Sequence, residues 1–139
     1  MRILVLAPFA FYQPSGSSFN TSFRIQALAE LGHKVDILCY PNGEPFNKKN
    51  IQIIRGLKKP LFKTIQPGEL GKKMVYDFFM FFKFVRLMAK GKYHIVIAHA
   101  SAFYWAYWLK PFTKGSFVAT LHGNVENEFE KRNISKSNW

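Results

Sequence analysis

Two of the four histidines stand where a fold of this kind does chemistry. His99 follows the apolar run Ile95-Val96-Ile97-Ala98, and His122 follows Phe117-Val118-Ala119-Thr120-Leu121. An imidazole at the end of a strand can meet a ligand in the cleft that opens there, and Gly123 after His122 lets the backbone turn away. For His99 a satisfied core histidine is an equal reading. His33 comes after a helix stop, where it can cap carbonyls, and His94 opens a strand, so both have structural readings. Zinc would need a third ligand beside His99 and His122; Glu126 is the candidate, but the spacing fits no zinc pattern and we expect no metal. Ser15, Gly16 and Ser17 lie in a Pro-Ser-Gly-Ser-Ser loop. Without a G-x-S-x-G elbow the serines read as loop and cap residues rather than nucleophiles.

These residues need elements to hold them. Ile3 to Ala7 is a continuous branched run, the pattern of a central parallel strand covered on both faces. After a turn-rich loop, Ser18 or Asn20 can cap a helix running to about Leu31, with Phe23, Ala27 and Leu31 beside Leu28 as its expected buried stripe. Gly32 is placed to terminate it, and Val35 to Tyr40 forms a second strand. Ile51 to Arg55 reads as a third strand near the sheet edge, followed by a loop over 58–71 and a long helix from about Leu70 to Ala89. His94 to His99 is the fourth strand, Ala102 to Leu109 a short aromatic helix, and Phe117 to Leu121 the fifth strand. Strands alternating with helices predict an α/β fold, a doubly wound parallel sheet of order 3-2-1-4-5. Ligands bind such a sheet at the carboxyl ends of its strands, near the switch point between the first and the fourth. That edge gathers the Pro8 to Ser18 loop, His99-Ala100-Ser101 and His122-Gly123.

At 139 residues, 48% hydrophobic and 20% charged, the chain is one folded domain over 1–139. A lone Cys39 in an apolar run excludes a disulfide framework and fits a reducing, cytoplasmic compartment. The first apolar run is too short for a signal peptide. A dinucleotide site is excluded because the first loop lacks G-x-G-x-x-G and the second strand has no terminal acid, and no P-loop motif is present.

The net charge of +12 calls for an anionic partner. Nine Lys and Arg against two acids fall within residues 58–92. On a helical wheel Lys72, Tyr76, Phe79, Lys83, Arg86 and Lys90 form one basic stripe interleaved with aromatics. The stripe can lie on an anionic membrane surface, or the helix can face the core with a solvated basic edge. Nucleic acid is disfavoured, because no recognition motif accompanies the charge.

Read together, several segments resemble a known family. Arg2-Ile3-Leu4-Val5-Leu6-Ala7-Pro8, Pro14-Ser15-Gly16, Leu28 to Val35 through Leu31-Gly32-His33, Tyr93 to Ser101, and Val118-Ala119-Thr120-Leu121-His122-Gly123 are similar in order and spacing to the N-terminal domain of family 4 glycosyltransferases of the GT-B fold. The resemblance implies the acceptor-side half of a retaining enzyme, a Rossmann-like domain facing a second domain that holds the nucleotide-sugar. It implies that Gly16, with Ser15 and Ser17, approaches a diphosphate or an acceptor phosphate through backbone amides. His122 then meets the transferred sugar, and His99, Ser101 and Gly123 line the substrate side. It also implies that the basic helix faces lipid, as in members acting on membrane-bound acceptors. Two glycines are usual in the first loop, and here Ser15 precedes Gly16. The expected partners are a donor-binding domain or subunit and a glycan or lipid-linked acceptor. The domain is expected to be incomplete at its C-terminus, so this chain is expected to bind no cofactor itself and to be inactive without that partner.

Overall fold

The computed structural model describes residues 1–12, 16–65 and 69–120. Its elements follow the order β1 (Arg2–Ala7), α1 (Gly16–Glu30), β2 (Lys34–Cys39), β3 (Ile51–Arg55), α2 (Leu70–Ala89), β4 (Ile95–His99), α3 (Ala102–Leu109), a single 3-10 turn (Lys110–Phe112) and β5 (Ser116–Thr120). The five strands form one parallel sheet of order β3-β2-β1-β4-β5, the expected doubly wound arrangement. Ile3 pairs with Val35 on one side and Ile95 on the other, which makes β1 the centre.

Alternation along β1 feeds two cores. Leu4 and Leu6 join Leu38, Tyr76, Met80, Phe84, Val96 and Ala106 under α2 and α3, while Ile3, Val5 and Ala7 pack with Phe11, Ile25, Val35 and Ile37 under α1. Right-handed crossovers account for this division: β1 to β2 runs one way across the sheet and β3 to β4 to β5 the other, so their helices land on opposite faces. Gly32 (φ +86°), the expected stop, and Gly91 (φ +61°) adopt the left-handed conformation just after α1 and α2.

The buried stripe of α1 differs from the one expected. Ser18, Thr21, Ser22, Ile25 and Ala29 face the sheet, whereas Phe23 and Leu31 are 68% and 73% exposed. Small residues let the helix lie close, and the hydroxyls are used locally: Ser18 Oγ accepts the Tyr12 N–H at 2.7 Å and Ser22 Oγ donates to the Phe19 carbonyl at 2.7 Å.

The amino end of the sheet is locked. Asp36 Oδ2 takes the Arg2 guanidinium at 2.7 Å and the Tyr93 hydroxyl at 2.6 Å, and the guanidinium lies 5.0 Å from the centre of the Tyr93 ring. The hydrogen bond to Asp36 raises the pKa of Arg2, and burial raises that of the Tyr93 phenol.

Candidate functional site

The carboxyl end is built differently. After β1 the chain turns through Pro8 and Phe9, and the Tyr40 N–H donates to the Phe9 carbonyl at 3.2 Å, which pins the first loop to the end of β2. Tyr40 continues into a sharp loop where Gly43 has φ +114°; a Cβ there would stand 2.0 Å from the Phe11 carbonyl oxygen, so only glycine fits. Arg55, at the end of β3, holds this loop by donating to the carbonyls of Tyr40 (3.1 Å), Asn42 (2.6 Å) and Glu44 (2.9 Å). At the end of β4, Ala100 takes φ +47°, a strained conformation for a residue with a Cβ.

Between these ends lies a cleft of about 520 Å³, walled by Phe9, Ser17, Tyr40, Asn42, Lys73 and Ala100, with Thr64 and Ile65 on its rim. Asn42 Nδ2 donates to the carbonyls of Phe62 (2.9 Å) and Lys63 (3.2 Å), which fixes the amide. Its Oδ1 is then buried with no partner among the described residues. A buried acceptor without a protein donor among the described residues is a group that a small movement of the cleft wall could present to a ligand hydroxyl. Below it, Asp77 accepts from Tyr40 (2.8 Å) and from Ser101 (3.2 Å), so one carboxylate joins β2, α2 and the turn after β4. Burial raises the Asp77 pKa, opposed by those two hydrogen bonds and by Lys73. Burial also drives the Tyr40 phenol up, with the Asp77 charge adding to it.

Of the residues expected here, Ser17 lines the cleft, and Ser101 does not line it but donates to Asp77, the residue that holds the cleft-lining Tyr40. Gly16 begins α1, and an added Cβ would meet nothing within 4 Å among the described residues. None of the described residues therefore requires glycine at that position. His99 is buried with its ring edge-on to Phe9 at 6.2 Å, and it lines a groove beside α1 with Val5, Ile97 and Val118 instead of the cleft. Ser15, His122, Gly123 and Glu126 lie outside the described residues. Among the described residues no three His, Cys, Asp or Glu side chains come together as metal ligands.

The basic stripe on α2 is only partly real. Tyr76 is 1% exposed and faces the sheet with Met80 and Phe84, its hydroxyl accepting the N–H groups of Leu61 and Phe62 at 3.0 and 3.1 Å. Successive spacings of four put Tyr76, Met80 and Phe84 on the core side and remove Tyr76 from the surface. Lys72 is half-buried and paired with Glu69 at 2.6 Å. Lys83, Arg86 and Lys90 are exposed and Phe79 is partly so.

The family model described as Glycosyltransferase Family 4 matches residues 25–139, most of the chain. This chain belongs to glycosyltransferase family 4. No curated protein matches this family 4 chain. Among solved structures it is similar to sucrose-phosphate synthase from Thermosynechococcus elongatus, with a TM-score of 0.65 and 17% identity over 88% of this chain and 33% of that one. At that identity the likeness is one of fold, and this glycosyltransferase chain spans about one third of the synthase's length. The Rossmann-like sheet and its strand order are those expected for a domain of the GT-B fold.

Sequence reasoning missed the cleft-lining Tyr40, Asn42 and Lys73, and Asp77, which holds Tyr40. One signal was available: Asp77 is the sole acid in α2.

Proposed function

We propose that this family 4 chain is the acceptor-side half of a retaining hexosyltransferase, acting with a donor-binding domain or subunit that holds a nucleotide-sugar. The observation that carries the reading is the cleft at the carboxyl ends of β1, β2 and β4, walled in part by Asn42, whose fixed amide has no donor to its Oδ1 among the described residues. This is the edge at which doubly wound sheets bind ligands. The acceptor is a membrane-associated or cell-surface glycan or lipid, with one hydroxyl donating to Asn42 Oδ1. Transfer develops positive charge at the sugar carbon while the diphosphate departs; amides at Gly16 and cations of the donor domain stabilise the leaving charge. His122 positions the transferred hexose and does not act as a base. The protein works on the cytoplasmic side, peripheral to the membrane; among the described residues no helix is long and apolar enough to cross one.

The test is hexose transfer by the chain joined to its donor domain. His122→Ala should lower turnover by about 100-fold or more with an unchanged circular dichroism spectrum, and Asn42→Ala should raise the KM for acceptor more than it lowers kcat. Wild-type turnover in the His122→Ala protein would sink the catalytic part of this reading.

A second reading, a non-catalytic module that recruits a partner to a membrane surface, is favoured by the exposed aromatics of α2 and α3. It predicts partner recruitment that survives both substitutions.

A further inference from the structure

From Phe78 to Thr120 the sequence contains no Asp or Glu and six Lys or Arg. Apart from β4 and β5, the stretch forms most of α2, then α3 and the 3-10 turn, with α2 and α3 covering one side of the sheet. Its outer surface carries Phe78 and Phe82 on α2, Trp108 on α3 and Phe112 in the turn, with Trp108 79% and Phe112 84% exposed. The two helices are joined by ring contacts: Phe78 to Phe82 at 4.8 Å, Phe82 to Phe81 at 5.7 Å, and Phe81 to Trp105 at 6.2 Å. Trp108 stands three residues beyond Trp105 and so shares its side of α3. The aromatics thus continue from one helix to the next, with Lys83, Arg86 and Lys90 along α2 and Lys110 and Lys114 beyond α3.

We infer that Trp108 and Phe112, with Phe82 on the adjoining α2, enter the interfacial layer of an anionic bilayer while the flanking Lys and Arg bind its headgroups. Large rings with bulky apolar bodies favour the headgroup boundary, and each nearby cation adds attraction to an anionic surface. Charge of a single sign around the patch opposes a second copy of this chain as the occupant, because the two surfaces would repel. The α2 stripe supplies the cations; α3 and the 3-10 turn supply the inserting groups. This deepens the proposed function by naming the surface that would bring the cleft to a lipid-linked acceptor, and binding to vesicles is read without turnover, so either can fail alone.

The test is co-sedimentation of the 139-residue chain with vesicles of phosphatidylcholine alone or of equal parts phosphatidylcholine and phosphatidylglycerol. The wild type should bind the mixed vesicles, release at high salt, and have its tryptophan emission quenched by brominated lipid. Trp108→Ser with Phe112→Ser should weaken binding by roughly tenfold or more. Both side chains are mostly exposed, so the fold should be kept, and Phe82→Ser serves as a separate check. Absence of wild-type binding overturns the inference. So does equal binding by the Trp108→Ser and Phe112→Ser protein, with only Lys83→Glu and Arg86→Glu impairing it, since that is adsorption without insertion. A concentration-dependent dimer abolished by Trp108→Ser and Phe112→Ser would assign the patch to a second copy instead.

Discussion

The hydroxyl of Tyr40 donates to Asp77 Oδ1 at 2.8 Å, fastening the end of β2 to the middle of α2. Ser101 takes the other carboxylate oxygen at 3.2 Å, so three elements around the cleft meet on one side chain. Asp77→Ala should cost about 1–3 kcal/mol in urea unfolding, because the Tyr40 hydroxyl is left without its acceptor. Asp77→Asn keeps an acceptor for Tyr40 and should restore most of that loss.

Asp77 also sets a pH dependence. Burial raises its carboxyl above the ordinary 3.8, so the folded chain holds this proton more tightly than the unfolded one. The resulting stabilisation is complete below 3.8 and is lost as pH rises through the folded value. Stability curves of wild type and Asp77→Asn should therefore shift against the wild type over that rise. A constant difference would show that Asp77 does not titrate in this way.

Two glycines should separate fold from function. Gly43→Ala places a Cβ 2.0 Å from the Phe11 carbonyl at φ +114°, and soluble folded protein should be largely lost. Gly16→Ala meets nothing within 4 Å among the described residues and should leave the melting temperature within a few degrees. If amides at Gly16 approach a phosphate, transfer by the joined enzyme falls in Gly16→Ala with no loss of stability.

Arg55 should be irreplaceable by lysine. Its fork spans carbonyls from Tyr40 to Glu44, and a single ammonium cannot reproduce that spread. Arg55→Lys and Arg55→Met should both speed proteolysis in the 41–46 loop and lower stability by about 1–3 kcal/mol.

Cys39 should be inert. Burial pushes its thiol up to about 11, so thiol reagents at pH 8 should label it only after denaturation. Labelling of native protein at the denatured rate would contradict its burial.

The sheet was legible because its signals are local: unbroken apolar strands, short links, and Gly32 and Gly91 closing the helices before β2 and β4. Helix faces were less so. In α1 the large residues Phe23 and Leu31 suggested the wrong stripe, since close approach to the sheet selects Ser18, Thr21 and Ser22 over bulk. In α2 apolar residues occupy nearly every side, so the pattern could not tell that Tyr76 faces inward while Phe78 faces out. The cleft was read to its edge but not to its residues. Asn42 acquires its meaning from the carbonyls of Phe62 and Lys63, twenty residues on, in a segment whose sequence announces only a loop.

The two ends of the parallel sheet carry opposite burdens. At the amino end Arg2, Asp36 and Tyr93 satisfy one another, and the ensemble asks nothing of a ligand. At the carboxyl end Ala100 is strained and Asn42 Oδ1 has no donor among the described residues. Evolution can therefore retune what the protein holds by editing the carboxyl rim while the amino end continues to keep the strands in register. Damage at the amino end, conversely, would be felt as lost protein before it was felt as altered specificity.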